Sequence, residues 1–181
     1  AMRGLVYGDL LNRLLLATRP YEINPGETEA VLNKWKKIAL DNLRNLSLKR
    51  FKRSIQDIVD AFEAIPVTGE RKPVIGVVGE ILVKYHPTAN NQIVKVLEDE
   101  GAEVRVPDLI DFLLYCAYNT NFKHEKLGRS IWAKIAGNFV ISVIEDYRKQ
   151  MRKVLKNSKR FSPPSYISEK AKAASEFLSM T

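Results

Sequence analysis

The run Val74-Ile75-Gly76-Val77-Val78, stopped by Gly79 and Glu80, constrains the fold of this chain more than any other feature. A short apolar run rich in β-branched residues, bounded by a proline on one side and a glycine on the other, reads as a buried strand. Downstream, Tyr85-His86-Pro87-Thr88-Ala89-Asn90-Asn91 is a turn-rich loop leading into an amphipathic helix. A strand that feeds a loop and a helix N-terminus is the unit of an open α/β sheet, and ligands of such sheets bind at the carboxyl ends of the strands.

Before that run the pattern is helical. Residues 5–18 predict a helix interrupted by Gly8 and closed at Arg19-Pro20, because the residue before a proline is pushed out of the α region. A second helix is predicted over 27–45, burying Val31, Trp35, Ile38 and Leu46. Ser47 then caps a third, whose apolar set Leu48, Phe51, Ile55, Ile58, Phe62 and Ile65 recurs at spacings of three and four. Residues 66–73, with a proline at each end and Gly69 between, form a polar linker. The boundary drawn there gives an N-terminal helical segment, 1–66, and a βαβα segment, 67–181.

In the second segment the strand at 74–78 precedes a helix over 91–100, with Ile93, Val94 and Leu97 inward, Thr88 or Asn90 as its cap and Gly101 just past its end. Residues 103–106 predict a second strand, which should lie parallel to the first. Asp108 opens a helix through Tyr118, residues 119–128 read as a polar loop, and a long helix spans 130–156. Its predicted buried face runs Trp132, Ala136, Val140, Val143, Tyr147, Met151, Val154. At about 1.5 Å per residue its roughly 26 residues reach about 39 Å, so its basic end is expected to project from a small domain. A last short helix covers 167–178. The fold class is therefore a helix-dominated α/β protein: a small parallel βαβ sheet with long flanking helices, an incomplete doubly wound domain. Two parallel strands have little stability alone, so the chain is expected to be a piece of something larger, with an open sheet edge or an uncovered apolar face.

The formal net charge of +8 over 181 residues raises the question of an anionic partner. Much of the excess lies in Lys49, Arg50, Lys52 and Arg53, and in Arg148, Lys149, Arg152, Lys153, Lys156, Lys159 and Arg160. Neither cluster carries interleaved aromatics or a zinc-finger spacing, so solvated helix faces are preferred over a nucleic-acid site. A CoA or other phosphate-bearing ligand would also suit such charge. No apolar run is long enough to span a bilayer. One cysteine and no signal-peptide pattern fit a cytoplasmic protein.

Gly79, Glu80, Tyr85, His86, Asn90 and Asn91 are the candidate ligand-binding residues. Gly79 permits a sharp turn after the strand, Glu80 stands at its carboxyl end, and the asparagines stand at a helix N-terminus, which attracts anions. Whether Glu80 and the asparagines meet a ligand or merely cap local structure stays open. Gly76 and Gly79 do not make a dinucleotide fingerprint and no Walker loop occurs. No catalytic residue is assigned. His86 and His124 read as surface loop residues, and Cys116, on an apolar helix, is a weak metal candidate that reads better as a small buried hydrophobe.

At Val78-Gly79-Glu80-Ile81, Ala89-Asn90-Asn91, Gly101-Ala102-Glu103-Val104 and Leu114-Tyr115-Cys116, residues 73–116 resemble the C-terminal region of large anaerobe proteins, the CoA-substrate-specific enzyme activases. These are activators of (R)-2-hydroxyglutaryl-CoA dehydratase. Thr18-Arg19-Pro20-Tyr21-Glu22 resembles a stretch preceding that region, and the region itself is similar to the 2-hydroxyacyl-CoA dehydratase subunits. The resemblance implies a non-ATPase segment whose partners are the other domains of its own polypeptide and a 2-hydroxyacyl-CoA dehydratase. It would be a scaffold and one wall of an acyl-CoA or iron–sulfur site. ATP and the cluster would belong to the full-length parent, and no cofactor to this segment, since one cysteine cannot supply the thiolates a cluster takes. The contrasting expectation is a basic helical adaptor binding nucleic acid or a protein.

Overall fold

The computed structural model describes residues 1–45, 47–128 and 130–176. Among them are eight α-helices and one two-stranded parallel sheet, the helix-dominated α/β architecture that the periodicities predict. The first helix, α1 (Met2–Thr18), runs through Gly8 without a break and gives way at Pro20 to a 3-10 turn, Arg19–Tyr21. Helix α2 (Glu27–Arg44) follows a left-handed Gly26. It buries Leu32 and Ala39 fully and Val31, Trp35 and Ile38 only in part, while Leu46 lies outside the described residues.

Helix α3 (Leu48–Glu63) begins where its cap predicts: the Ser47 hydroxyl accepts a hydrogen bond from the Arg50 N–H. Its face Phe51, Ile55, Ile58 and Phe62 is buried, and Leu48 in the first turn is exposed. At about 1.5–3 kcal/mol for each fully buried apolar side chain, that face anchors the helix to the core. The core cluster joins Val6, Leu10 and Leu14 of α1 to Ile55 and Phe62. It then continues to Ile110 and Leu114 of α6 (Leu109–Leu127) and to Ile144, Met151 and Leu155 of α7 (Ile131–Asn157). Residues on both sides of the 66–73 linker thus share one core.

The sheet pairs β1 (Val74–Gly76) with β2 (Glu103–Arg105), Ile75 opposite Val104. An isolated antiparallel bridge ties Glu22 to Val67. The expectation of a buried first strand is overturned. All three residues of β1 are exposed, while Glu103 and Val104 of β2 are buried. β2 lies against α1 and against α5 (Ile93–Asp99), and β1 is the outer strand. A short helix that the sequence did not signal, α4 (Ile81–Tyr85), precedes α5. Gly101 follows α5 at φ +87°, the left-handed stop expected of it.

Two further expectations change. The stretch read as a polar loop from 119 is helical to Leu127, where Gly128 at φ +64° ends α6. These turns stand because α7 packs along them: the Asn121 amide donates to Asn138 Oδ1 at 2.7 Å. On α7 the predicted buried face holds only at its far end. Trp132, Val140 and Val143 are exposed, and Gly137, Ile144, Arg148, Met151 and Leu155 are buried instead. The end that leaves the core is therefore the apolar first half, not the basic second half. After α7 the chain returns through Phe161, which is buried, to α8 (Ile167–Ser175). Residues 177–181, including the predicted end of that helix, lie outside the described residues.

Candidate functional site

The loop from Gly79 to Asn91 is built, and its polar groups serve local structure. Gly79 turns at φ +148°, a conformation that favours glycine. Glu80 is the N-cap of α4: its Oε2 accepts from the N–H groups of Leu82 (2.8 Å) and Val83 (3.2 Å). The Asn90 amide donates to the Val83 carbonyl at 3.0 Å and its Oδ1 accepts from the Ile93 N–H, joining α4 to α5. His86 Nδ1 accepts from the Ala89 N–H at 3.3 Å. Tyr85 donates to the Pro107 carbonyl, and burial, with Asp9, Asp108 and Asp111 nearby, pushes its phenol pKa up. Asn91 is exposed in a left-handed conformation, φ +55°, one residue before the cap of α5. None of these six residues lines the main cavity.

That cavity, about 650 Å³, opens over one face of the sheet. Alternate residues of a strand share a face. The parallel register therefore puts Val74 and Gly76 beside Glu103 and Arg105, and all four line the cavity. A Cβ built on Gly76 would meet nothing within 4 Å. Leu16 and Ala17 at the end of α1, together with Phe161, add apolar wall, and the linker residues Glu70, Arg71 and Lys72 form one rim.

Most charged groups around the cleft already have partners. Glu103 accepts from the Tyr21 hydroxyl and from Arg105 Nε, each at 2.9 Å. Burial, then Glu103, raises the Tyr21 pKa. Arg160 donates to the carbonyls of Ile65 (3.1 Å) and Phe62, closing the end of α3, and its burial lowers its pKa. Lys170 pairs with Asp111. Arg71, exposed, and Lys72, half-buried, have no side-chain partner among the described residues. The rim thus offers two uncommitted cations and the likewise unpaired Glu70 carboxylate, above a floor that mixes Val74 and Gly76 with the paired Glu103 and Arg105.

Behind Asp111 runs an ion network that sequence reasoning missed. Arg148 is fully buried and donates to Asp108 (2.8 Å) and Asp111 (3.0 Å), with Glu145 at 3.8 Å. Arg13 holds the other oxygen of Asp108 at 2.8 Å, and Arg152 pairs with Glu145. Asp9, on α1, reaches across to cap α6, accepting from the N–H groups of Leu109 (2.8 Å) and Ile110 (2.9 Å). Its burial and the neighbouring Asp108 raise its pKa from 3.8 to about 6, against those two hydrogen bonds and Arg148. A sequence signal was present for one member: Arg148 follows Ile144 by four and precedes Met151 by three, on the core-facing line of α7, whereas Asp9 stands at the edge of the Val6, Leu10 and Leu14 line of α1.

The reading of the second basic cluster as a solvated face is corrected at Arg148, Arg152 and Arg160, whose guanidinium groups point inward to partners. Cys116 is exposed on α6, not buried. Among the described residues no group of three or more His, Cys, Asp or Glu could hold a metal ion. The chain's one thiol, standing apart on α6, does not fit an iron–sulfur cluster. No described helix is long and apolar enough to cross a membrane. Comparison with protein-family models, curated proteins and solved structures found no match to this chain.

Proposed function

We propose that this chain is a cytoplasmic, non-ATPase segment of an activase-like protein related to the 2-hydroxyacyl-CoA dehydratases. It serves there as a scaffold and as one wall of an acyl-CoA site. The observation that supports this reading is the cleft over the sheet face, where Arg71 and Lys72 stand at the rim beside the apolar residues Val74 and Val78. A CoA thioester carries phosphates at one end and an apolar arm at the other. Arginine recognises phosphate oxygens through paired N–H donors, and lysine as a point charge. Val74, Gly76 and Val78 offer the arm a surface with open space above it. The ligand then lies across the sheet face with its phosphates at the amino end of β1, where Arg71 and Lys72 precede Val74, and not at the carboxyl ends of the strands that α/β sheets commonly use. The Gly79–Asn91 loop frames the sheet rather than the ligand. Nothing is routed through an iron–sulfur cluster or ATP, which in this reading belong to other parts of the parent polypeptide.

Titration calorimetry with acetyl-CoA tests it. Losing two charge-assisted contacts, at about 1.5–3 kcal/mol each, should weaken binding by about a hundredfold or more in Arg71→Gln/Lys72→Gln, and added salt should weaken the wild type. Equal affinity in the double variant, or no heat with acetyl-CoA at millimolar concentration, would remove the cleft from consideration as an acyl-CoA site.

A further inference from the structure

Helix α7 leaves the core in its first half and takes an apolar face with it. At about 100° per residue, Gly137, Ile144 and Arg148 lie on one line of the helix. All three are buried, and a Cβ on Gly137 would run into Ala117 and Thr120 of α6. Roughly opposite that line stand Trp132, Ile135 and Phe139, which are 75%, 51% and 68% exposed, flanked by Ile131 at 50% and Val143 at 38%. The neighbour α6 therefore covers the back of α7, and nothing among the described residues covers its front.

We propose that this front is a self-association face, and that its occupant is α7 of a second copy of the chain, packed antiparallel about a two-fold axis at Phe139. The spacing carries the argument. An isologous contact must be complementary to itself: whatever residue i meets on the partner must meet residue i in return. Ile135 and Val143 lie four residues before and four after Phe139, so antiparallel pairing sets each against the other and Phe139 against itself. Trp132 lies seven residues before the axis and the exposed Asp146 seven after. The indole N–H then gains a carboxylate acceptor at the edge of the patch, the kind of partner a half-buried tryptophan needs.

The area agrees. Taking about 200 Å² for an exposed aromatic side chain and about 100 Å² of apolar surface for an aliphatic one, the five exposures sum to roughly 400 Å² per copy. A standard interface takes about 800 Å² from each partner, and about 65% of that is apolar in homodimers, or roughly 500 Å². The stripe thus supplies most of the apolar share, and the polar flanks of α7 supply the rim. The acyl-CoA reading is independent of this contact, which lies on α7 away from the cleft.

Light scattering on the eluted 181-residue chain tests the proposal. At about 100 µM, above the micromolar end of interfaces this size, the mass should be twice 20.6 kDa. Phe139→Glu places two like charges on the axis and should return the mass to 20.6 kDa with unchanged helix content and with the melting temperature of the wild type diluted to its single-chain form, since Phe139 is already exposed in the single chain. Ile135→Lys is the second variant, and should do the same. For the geometry, Phe139→Cys in a Cys116→Ser background should cross-link to itself on mild oxidation, and Lys36→Cys in that background should not. A single-chain mass for the wild type overturns the proposal, as does a dimer that survives both charge variants. Binding of anionic phosphatidylserine vesicles by a chain that stays monomeric would likewise overturn it, and would make the stripe a membrane-facing patch.

Discussion

Replacing Asp9 by asparagine removes one titrating group from the junction of α1 and α6 while nearly preserving its shape and one acceptor oxygen. In the folded chain Asp9 holds its proton up to about pH 6, and its ordinary pKa is 3.8. Between those values the folded state binds a proton that the unfolded chain has released, so stability falls as pH rises through this window. The contribution is fully present below about pH 4 and gone above about pH 6. At about 1.36 kcal/mol per pH unit, the interval amounts to about 3 kcal/mol. The sign is opposite to that of an ordinary capping aspartate, which favours its ionised form at a helix N-terminus. Here burial and the adjacent Asp108 outweigh the two N–H donors and Arg148. Urea unfolding of both proteins at steps from pH 4 to pH 7.5 isolates the effect, because other titrating groups cancel in the difference. Asp9→Asn should gain about 3 kcal/mol relative to wild type across the series, with the change centred between pH 4 and 6. A difference that stays flat to within about 1 kcal/mol, or one that runs the other way, refutes the account of Asp9 as a carboxyl held protonated by burial.

Arg148→Met keeps the buried stem and removes the charge. Because Asp108 retains Arg13, Asp111 retains Lys170 and Glu145 retains Arg152, the loss should fall at the lower end of the 3–5 kcal/mol range for breaking a buried pair, about 3 kcal/mol in urea unfolding. A loss under about 1 kcal/mol would mean the remaining cations satisfy the acids unaided. Gly137→Ala should destabilise the α6–α7 pair despite alanine's better helix propensity. The new Cβ would press on Thr120 Oγ1 and stand 2.9 Å from the Ala117 carbonyl oxygen. Overpacking of this kind costs about 1–3 kcal/mol, and Thr120→Ala should restore only part of it, as thermal melts of the single and double variants would show.

What could be read from the sequence divides by what each residue answers to. Helix α3 follows a strict period and its cap is a serine in the right place, so both its start and its buried face were legible. The same holds for the parallel pairing of β1 and β2, which follows from the helical crossover between them, and for the left-handed Gly101, which is a local turn signal. The extension of α6 to Leu127 was not legible, because its polar residues are helical by virtue of a neighbour 17 positions away in the chain, as Asn121 and Asn138 show. Nor was the exposure of β1: an apolar run announces burial, and only the arrangement of α1 and α5 around β2 leaves the outer strand bare. At the candidate site the loop 79–91 was located by its turn residues, but whether Glu80 would meet a ligand or cap a helix depended on α4, five residues too few to show a period.

Charge misled in a way that the network explains. A run such as Arg148, Lys149, Arg152, Lys153 and Lys156 looks uniform when counted, yet on a helix residues three or four apart share a face while immediate neighbours point about 100° apart, so its members divide between two faces. Arg148 and Arg152 lie on the inward side and meet Asp108, Asp111 and Glu145, while Lys149, Lys153 and Lys156 face solvent. With Arg13 and Lys170 opposite Asp9, Asp108, Asp111 and Glu145, the interior group holds four cations and four carboxyls and is close to neutral. Formal net charge therefore describes the outside of this protein better than any one of its basic clusters does. Among the described residues, the cations left without a side-chain partner at the cleft are Arg71 and Lys72, two residues of a short polar linker, and they are the ones that the proposed acyl-CoA reading would set against phosphate. They gain their importance from the bare sheet face beside them.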